Sequence, residues 1–174
     1  MRSKRERMDV RDADASELDA LTTLWYEGWR DAHLKIVPPA LTLVRTRTTF
    51  RHRLEAALET VRVVGPIGAP LGLHMIKGDE LYQLYVAEDA RGTGVAPTLI
   101  ADAEARLAAN GVTTAWLACA IGNERAARFY EKRGWHRTGT VTNQLETPIG
   151  AFPLEVWRYE KRLVPAGSPP DSVV

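Results

Sequence analysis

The stretch that most constrains the fold is residues 84–107, "LYVAEDARGTGVAPTLIADAEARL", where an apolar, strand-like run passes through two glycines into a helical pattern. Proline is tolerated only in the first turn of a helix, so Pro97 fixes the helix start near Val95. Apolar residues then recur at helical spacing as far as about Asn110: Leu99, Ile100, Ala103 and Leu107. A strand that leads directly into a helix is typical of α/β folds.

Patterning on the N-terminal side of this unit predicts a short strand followed by two helices. The strand begins at Val10. Ser16 and Asp19 are spaced as a capping box for a first helix, which is predicted to end at residues 31–33 before a pair of prolines. A second helix is predicted for residues 46–59, where apolar side chains fall on one face.

Strands dominate the remainder of the chain, while residues 41–45 fit no element. The runs "VRVV", "LGLHMIK" and "ELYQLYV" are separated by tight turns, which predicts three antiparallel strands. "TTAWLACA" is apolar on both faces, as in a strand covered on both sides. Asn123 caps a helix, "ERAARFYEKR", that Gly134 closes, and two late strands are predicted near residues 135–143 and 152–161.

These elements predict one domain over residues 8–162. Its class is α/β, with a single mixed, mostly antiparallel sheet flanked by helices. A chain of 174 residues is long enough to bury a full core in one domain. Residues 1–7 are predicted to be a disordered basic tail, and residues 163–174 a second disordered tail.

Composition argues against several classes of function. With a net charge of +1, the chain lacks the basic surplus typical of nucleic-acid-binding proteins. No apolar run approaches the ~20 residues of a membrane helix, so no membrane contact is expected. Cys119 is the single cysteine, which favours a cytoplasmic location. The four histidines lack metal-ligand spacing, so no metal is expected, and no serine lies in a nucleophile elbow.

The glycine loop suits an anion at the start of the helix. A P-loop needs a lysine after its second glycine, and a dinucleotide fingerprint needs a small residue where Pro97 stands, so both are excluded. The pattern that remains is Arg91-x-x-Gly94-x-Ala96. First-turn amides have no internal partners, small residues let a pyrophosphate approach them, and Arg91 adds positive charge. The alternative is that the glycines only turn the chain.

Together with its strand, this loop resembles the longest motif of the GNAT (Gcn5-related) acyl-CoA N-acyltransferases, Q/R-x-x-G-x-G/A between a strand and a helix. "NERAARFYEKRGW" is similar to the later motif of that family, in which an asparagine opens a helix and a tyrosine follows about two turns on. Here these residues are Asn123 and Tyr130. The resemblance extends over residues 8–162 and implies the GNAT fold, with acetyl-CoA as co-substrate.

The resemblance also implies a set of cofactor-binding residues. The pyrophosphate is assigned to the loop: Arg91, Gly92, Thr93, Gly94, Val95 and Ala96. The pantetheine arm is assigned to main-chain groups of the preceding strand: Leu84, Tyr85 and Val86. Asn123 would bind the same arm near the thioester, and Tyr130 would lie near the sulfur. Pro97 departs from the family pattern and removes one amide from the first turn.

Amide formation needs a neutral amine, yet a lysine-like amine with a pKa near ~10.4 is neutral only a few parts in ten thousand at pH 7. Glu80 matches the position where several family members carry a glutamate base; the alternative is a surface glutamate at a strand start. Glu27 and His33 are further candidates for the base. Tyr130 is the candidate acid for the leaving thiol, with packing against Phe129 as the alternative.

The acceptor is expected to bind between the first helix, the connection after it and the late hairpin. The candidate lining residues are Trp25, Tyr26, Glu27, Trp29, His33, Gln144 and Trp157. The spacing of Trp25 and Trp29 suits a helix core equally well. One helix face carries Arg125, Arg128 and Lys132, which are either solvated or near an outer phosphate of the coenzyme.

The prediction is an N-acetyltransferase that moves an acetyl group from acetyl-CoA to a primary amine by direct transfer in a ternary complex. The alternatives are a non-catalytic acyl-CoA-binding or regulatory domain and a structural α/β domain. The expected partner is a small-molecule or peptide amine, with no nucleic acid and no membrane. The sequence leaves open the identity of the amine and the formation of a homodimer.

Overall fold

The computed structural model describes residues 8–164. Within that range, seven strands form one sheet: β1 Val10–Asp12, β2 Val61–Val64, β3 Gly72–Lys77, β4 Glu80–Val86, β5 Thr114–Ala120, β6 His136–Thr147 and β7 Gly150–Arg162. Five α-helices accompany it: α1 Leu18–His33, α2 Pro39–Val44, α3 Arg47–Ala57, α4 Val95–Ala109 and α5 Glu124–Lys132. No helix within residues 8–164 has the length and apolar content needed to cross a bilayer.

The sheet is mixed and mostly antiparallel, which confirms the predicted fold class. Its strand order is β1-β2-β3-β4-β5-β7-β6, and β4–β5 is the parallel pair. These two strands pair at a single position, Glu80 opposite Trp116, supported by the Trp116 N–H donating to the Asp79 carbonyl at 3.2 Å. Beyond Glu80, β4 and β5 therefore run on without a shared ladder, and the sheet opens between them.

A β-bulge in β4 accompanies this opening. The register with β3 passes from Met75 opposite Gln83 to Ile76 opposite Leu81, which leaves Tyr82 as the extra residue. An extra residue bends the strand and increases its twist. Tyr82 and Gln83, at this bulge, both line one cavity of the protein.

Helices cover both faces of the sheet. On one face, α1 and α3 pack around Trp25 and Phe50, whose rings meet edge to face with centroids 4.9 Å apart. On the other face, α4 and α5 bury Ile100, Ala103 and Ala127 against the strands. Full burial of a large apolar side chain contributes about 1.5–3 kcal/mol, so these two clusters hold the helices on the sheet.

The predicted capping box at Ser16 and Asp19 is wrong. The box joins Asp14 to Glu17, one short turn earlier, and α1 begins at Leu18. Asp14 accepts hydrogen bonds from the amide and the hydroxyl of Ser16, so the hydroxyl is already engaged. Glu17 is held by Arg11 at 2.7 Å, a pairing across the sequence that a local pattern does not show.

Two other segments depart from the prediction. Residues 41–45, which fitted no element, lie mostly in α2, a helix of six residues that begins with Pro39. The late strands β6 and β7 extend beyond residues 135–143 and 152–161, because they pair continuously up to the turn at residues 148–149. The folded domain also includes Leu163, which is buried and donates its N–H to the Thr113 carbonyl at 2.7 Å. The tail predicted for residues 1–7, and the part of the tail predicted for residues 163–174 that begins at residue 165, lie outside the described residues.

Candidate active site

A groove of about 550 Å³ lies between the loop that precedes α4, the α5 helix and the open edge of β4. Gly92 and Gly94 have φ angles of 75° and 92°, in the left-handed region that side-chain-bearing residues rarely adopt. Gly94 is the N-cap of α4. The first N–H of that helix with a hydrogen-bond acceptor is that of Thr98, which donates to the Gly94 carbonyl. Both glycines are therefore required by the backbone of this loop.

The loop presents a run of free amides to the groove. Among the described residues, no acceptor pairs with the N–H groups of residues 92–96. Such a run at a helix start binds anions because the N–H dipoles converge and the helix dipole adds positive potential. Pro97, the third residue of α4, lacks an N–H and leaves this run intact. The side chain of Val95 is buried in the core, so this residue contributes its amide alone.

Positive charge surrounds these amides. Five cationic side chains line the groove: Arg91, Arg125, Arg128, Lys132 and Arg133. Asp31 of α1 accepts hydrogen bonds from Arg125 at 3.1 Å and Arg91 at 2.8 Å, and these bonds lower the pKa of its carboxyl. Asp31 thus links Arg91 of the loop to Arg125 of α5. The other cationic side chains of the groove give it a net positive charge, which suits phosphates.

The open edge of β4 forms the floor of the groove. Leu84, Tyr85 and Val86 line it, and their main-chain groups on the β5 side lie past the single pairing position. Unpaired strand groups of this kind bind extended, amide-bearing chains. Asn123 lies opposite and caps α5 through its side-chain oxygen, which leaves its NH₂ group for a ligand.

Tyr130 stands where the groove meets the gap between β4 and β5. Its ring packs against Phe129, Trp135 and Tyr159 with centroids 5.5–6.3 Å apart, and its hydroxyl has no partner among the described residues. Burial raises the pKa of the Tyr130 phenol above its usual value, so the hydroxyl stays protonated at neutral pH and is available as a donor. Phe129 also lines the groove, so both aromatic residues face it.

A narrow cavity of about 80 Å³ occupies the gap between the strands and connects Tyr130 with His33. Cys119 lies in its wall, and burial raises the pKa of this thiol to about 12. A thiol that stays protonated is a poor nucleophile, so Cys119 acts as a small apolar side chain.

A further cavity, of about 110 Å³, opens on the α1 and α3 face of the sheet; it is called the acceptor cavity below. It shares six lining residues with the narrow cavity: His33, Tyr82, Gln83, Tyr85, Ala118 and Ala120. Its other lining residues are Trp29, Val37, Leu41, Arg45, Arg53, Glu80, Asn143, Leu145, Leu154 and Val156. The groove, the gap and the acceptor cavity therefore form one route through the sheet.

His33 borders both the gap and the acceptor cavity. Its Nδ1 lies 2.9 Å from the Trp29 carbonyl, so Nδ1 carries the proton, and the ring stacks on Trp29 at 5.3 Å. Burial lowers the pKa of the His33 imidazole below its usual value, so the ring is neutral at neutral pH. Its Nε2 therefore carries a lone pair that no described residue engages.

Glu80 lies opposite Trp116, at the one position where β4 and β5 are paired. Burial raises the pKa of its carboxyl to about 7. It lines the acceptor cavity but not the gap that contains Tyr130. Leu84 lies four residues further along β4, which is about 13 Å of extended strand at 3.3 Å per residue.

Several predicted acceptor residues lie elsewhere. Trp25 is 1% exposed and belongs to the core, and Glu27 is exposed and lines neither the gap nor the acceptor cavity. Trp29 lines the acceptor cavity. Tyr26, Gln144 and Trp157 do not; Trp157 instead lies under the Arg137 guanidinium at 3.8 Å.

Sequence patterns did not reveal five polar residues that line the acceptor cavity: Arg45, Arg53, Tyr82, Gln83 and Asn143. Arg45 follows α2, the helix that no pattern revealed. Tyr82 lies at the bulge of β4, where the strict alternation of strand side chains breaks down. A strand-to-helix motif search would not reach either position.

The chain is similar in sequence to one protein family and to several distant relatives. The profile of the Acetyltransferase (GNAT) family matches residues 18–135. Uncharacterized N-acetyltransferases of Mycobacterium tuberculosis and Mycobacterium bovis are 39% identical over 75 residues, which is 41% of this chain and 48% of theirs. The chain thus spans about half the length of these curated relatives.

Solved structures share the fold. A GCN5-related N-acetyltransferase from Rhodopseudomonas palustris has a TM-score of 0.69 at 20% identity, covering 89% of this chain and 95% of that one. A phosphinothricin acetyltransferase (Pat) from Sinorhizobium meliloti, solved in complex with AcCoA, has a TM-score of 0.65 at 16% identity, covering 97% and 95%. At these identities the similarity establishes the fold alone.

Proposed function

Because the chain belongs to the GNAT acetyltransferase family, we propose that it transfers an acetyl group from acetyl-CoA to a primary amine, directly within a ternary complex. The observation that carries this proposal is the run of free amides at residues 92–96, in a cationic groove that opens through the sheet into a second cavity. A neighbouring structure with the same fold was solved with AcCoA, which supports the choice of donor.

The donor is assigned to the groove by its chemistry. The loop amides and Arg91 suit the pyrophosphate, and the open edge of β4 suits the amides of the pantetheine arm. The free NH₂ group of Asn123 suits a carbonyl near the thioester. The arrangement directs the thioester toward Tyr130 and the gap, where an amine enters from the opposite face of the sheet.

The transfer then needs two proton movements. The amine nitrogen attacks the thioester carbonyl carbon, a C–N bond forms, and the C–S bond breaks. We assign the amine proton to His33 Nε2, directly or through one water, since His33 is the neutral base that borders both cavities. The Tyr130 hydroxyl donates to the departing sulfur, whose thiol has an ordinary pKa near ~8.5 and needs only modest help.

Glu80 is the second candidate for the base. Its pKa of about 7 is close to the optimum for a general base at neutral pH. Glu80 lines the acceptor cavity but not the gap, whereas His33 lines both, and we base the assignment on this difference.

Donor binding is tested by thermal unfolding with and without acetyl-CoA. At 100 times its Kd a ligand adds ~2.7 kcal/mol, which is roughly 5–10 °C for a domain of this size. The informative variant is Ala96→Glu, because a carboxylate in the first turn favours the helix but repels a pyrophosphate. Ala96→Ser is the matched control. We expect Ala96→Glu to be folded and to lose the shift, and Ala96→Ser to retain it.

Turnover is tested by thiol release from acetyl-CoA with a panel of amines. Release that depends on the amine supports the acetyltransferase. A thermal shift with acetyl-CoA but no release with any amine would support the non-catalytic acyl-CoA-binding domain instead. No shift in a folded protein would mean that the glycines only turn the chain.

We also propose the class of the acceptor and the location of the reaction. The acceptor is a small-molecule or peptide amine, the location is the cytoplasm, and neither nucleic acid nor membrane takes part. Light scattering on the purified chain measures whether it forms a homodimer.

A further inference from the structure

Two arginines enter the acceptor cavity from the segment between α2 and α3 and from α3 itself. Arg45 is 4% exposed, and its guanidinium donates to the Glu146 carbonyl at 2.9 Å. Arg53 donates to the Tyr82 hydroxyl at 2.9 Å, and its guanidinium lies 4.3 Å from the centre of the Trp25 ring. Both side chains are therefore fixed in place by neutral groups.

Neither arginine has a counter-ion within residues 8–164, where no acidic side chain forms an ion pair with Arg45 or Arg53. The two cations also oppose each other, since burial and then repulsion from Arg53 lower the pKa of Arg45 to about 10. Arg45 remains charged at neutral pH. Arg45 is buried and Arg53 is half-buried. A buried guanidinium without an anion is costly, so this pair is suited to bind one.

Glu80, the acidic residue of the same cavity, does not fill this role. A carboxylate paired with a guanidinium has a lowered pKa, whereas burial raises the pKa of Glu80. The charged groups that act on Glu80 are Lys77, Asp79 and Arg158, which do not include the arginine pair. The positive charge of the cavity therefore remains for a ligand.

We propose that the acceptor is an amine that also carries a carboxylate, and that Arg45 and Arg53 bind this carboxylate while the amine faces His33. This inference rests on the proposed function and names its substrate class: amino acids and other small carboxylate-bearing amines. The small volume of the cavity, about 110 Å³, suits a molecule with few heavy atoms between the two groups. Arginine pairs recognise carboxylates through charge-assisted hydrogen bonds of fixed geometry.

The first test compares matched amines on the wild-type protein. Each amino acid is compared with its carboxamide and with the amine that lacks the carboxyl group, by thiol release from acetyl-CoA. The expected result is a kcat/KM about 100-fold higher for the carboxylate, since its absence leaves buried charge unpaired. The carboxamide has a less basic amine and more of its neutral form, so basicity alone would produce the opposite preference.

The second test removes each arginine. Arg45→Met and Arg53→Met retain most of the apolar stem, and Arg51→Met is the matched control, because Arg51 pairs with Asp19 and Glu55 and lines none of the acceptor cavity. For carboxylate amines we expect KM to rise about 30-fold or more in both variants, with kcat changed far less. The neutral amines and the acetyl-CoA thermal shift should be unaffected, as should every property of Arg51→Met.

A third readout does not depend on turnover. In the presence of coenzyme A, the amino acid should raise the melting temperature of the wild type and not of Arg53→Met, while the carboxamide should raise neither. Equal kcat/KM for carboxylate and neutral amines would overturn the inference and leave the acetyltransferase standing. Carboxylate-dependent stabilisation without turnover would support the anion site and refute the proposed reaction. If Arg45→Met fails to fold, Arg53→Met and the amine pairs decide the question.

Discussion

Replacing His33 with Gln should lower kcat about 100-fold at pH 7.5. Gln retains a polar side chain of similar length at this position, but its amide cannot accept a proton from an amine. General-base catalysis contributes 10²–10⁴-fold, and an amine with a lysine-like pKa needs it because so little of it is neutral. A 100-fold loss corresponds to ~2.7 kcal/mol of transition-state stabilisation.

The pH dependence of kcat separates His33 from Glu80. A base works only when it is unprotonated, so kcat falls as the pH drops through its pKa. Burial lowers the pKa of His33 below its ordinary value of ~6.5, which places the acid limb of the wild type below that pH. A limb produced by Glu80 would lie near its pKa of about 7. We expect the lower position, and we expect the limb to vanish in His33→Gln.

The assay is thiol release at saturating amine and acetyl-CoA, so that the profile reports the ternary complex. Glu80→Gln is the matched variant, and its kcat should stay within about threefold of the wild type. Thermal unfolding and the acetyl-CoA shift establish that each variant is folded and binds donor. The reasoning is refuted if His33→Gln keeps its kcat, or if Glu80→Gln loses 100-fold together with a limb near pH 7.

Two further variants test other parts of the molecule. Tyr130→Phe should reduce kcat less than about tenfold, because the leaving thiol has a pKa near ~8.5; steady-state kinetics that show complete loss would contradict this account. Phe50→Ala should lower the free energy of unfolding by about 3–5 kcal/mol in urea titrations, because Phe50 is fully buried against Trp25; a loss below ~1 kcal/mol would mean that the core closes around the space.

The conformation of the glycine loop could be predicted from the sequence because its parts are contiguous. The strand, the glycine loop and the helix start lie within residues 80–98, and the left-handed conformations of Gly92 and Gly94 follow from the only residue type that adopts them readily. Pro97 fixed the start of α4, and the structure begins that helix at Val95. Local rules of this kind do not depend on tertiary packing.

The cavity proposed for the acceptor could not be predicted in the same way. It joins residues from α1, α2, α3 and four strands, and Arg45 contacts Glu146 across 101 positions of sequence. The bulge at Tyr82 depends on the pairing of β3 with β4, which the alternation of either strand alone does not show. Trp25 and Trp29 share a helix face and both pack against Phe50 of α3, yet of the two Trp29 alone reaches the cavity.

One feature of the backbone serves both halves of the site. Because β4 and β5 pair only at Glu80 and Trp116, β4 keeps an edge without a partner inside the sheet. On the α4 and α5 face this edge offers the groups that suit the donor, and on the α1 and α3 face it leaves the gap that leads to the arginine pair. If β4 and β5 were paired along their whole length, the main-chain groups of this edge would be hydrogen-bonded, and the gap between the strands would be closed. The unpaired edge is therefore the condition for the proposed reaction, in which an acyl donor and an amine would meet from opposite faces of the sheet.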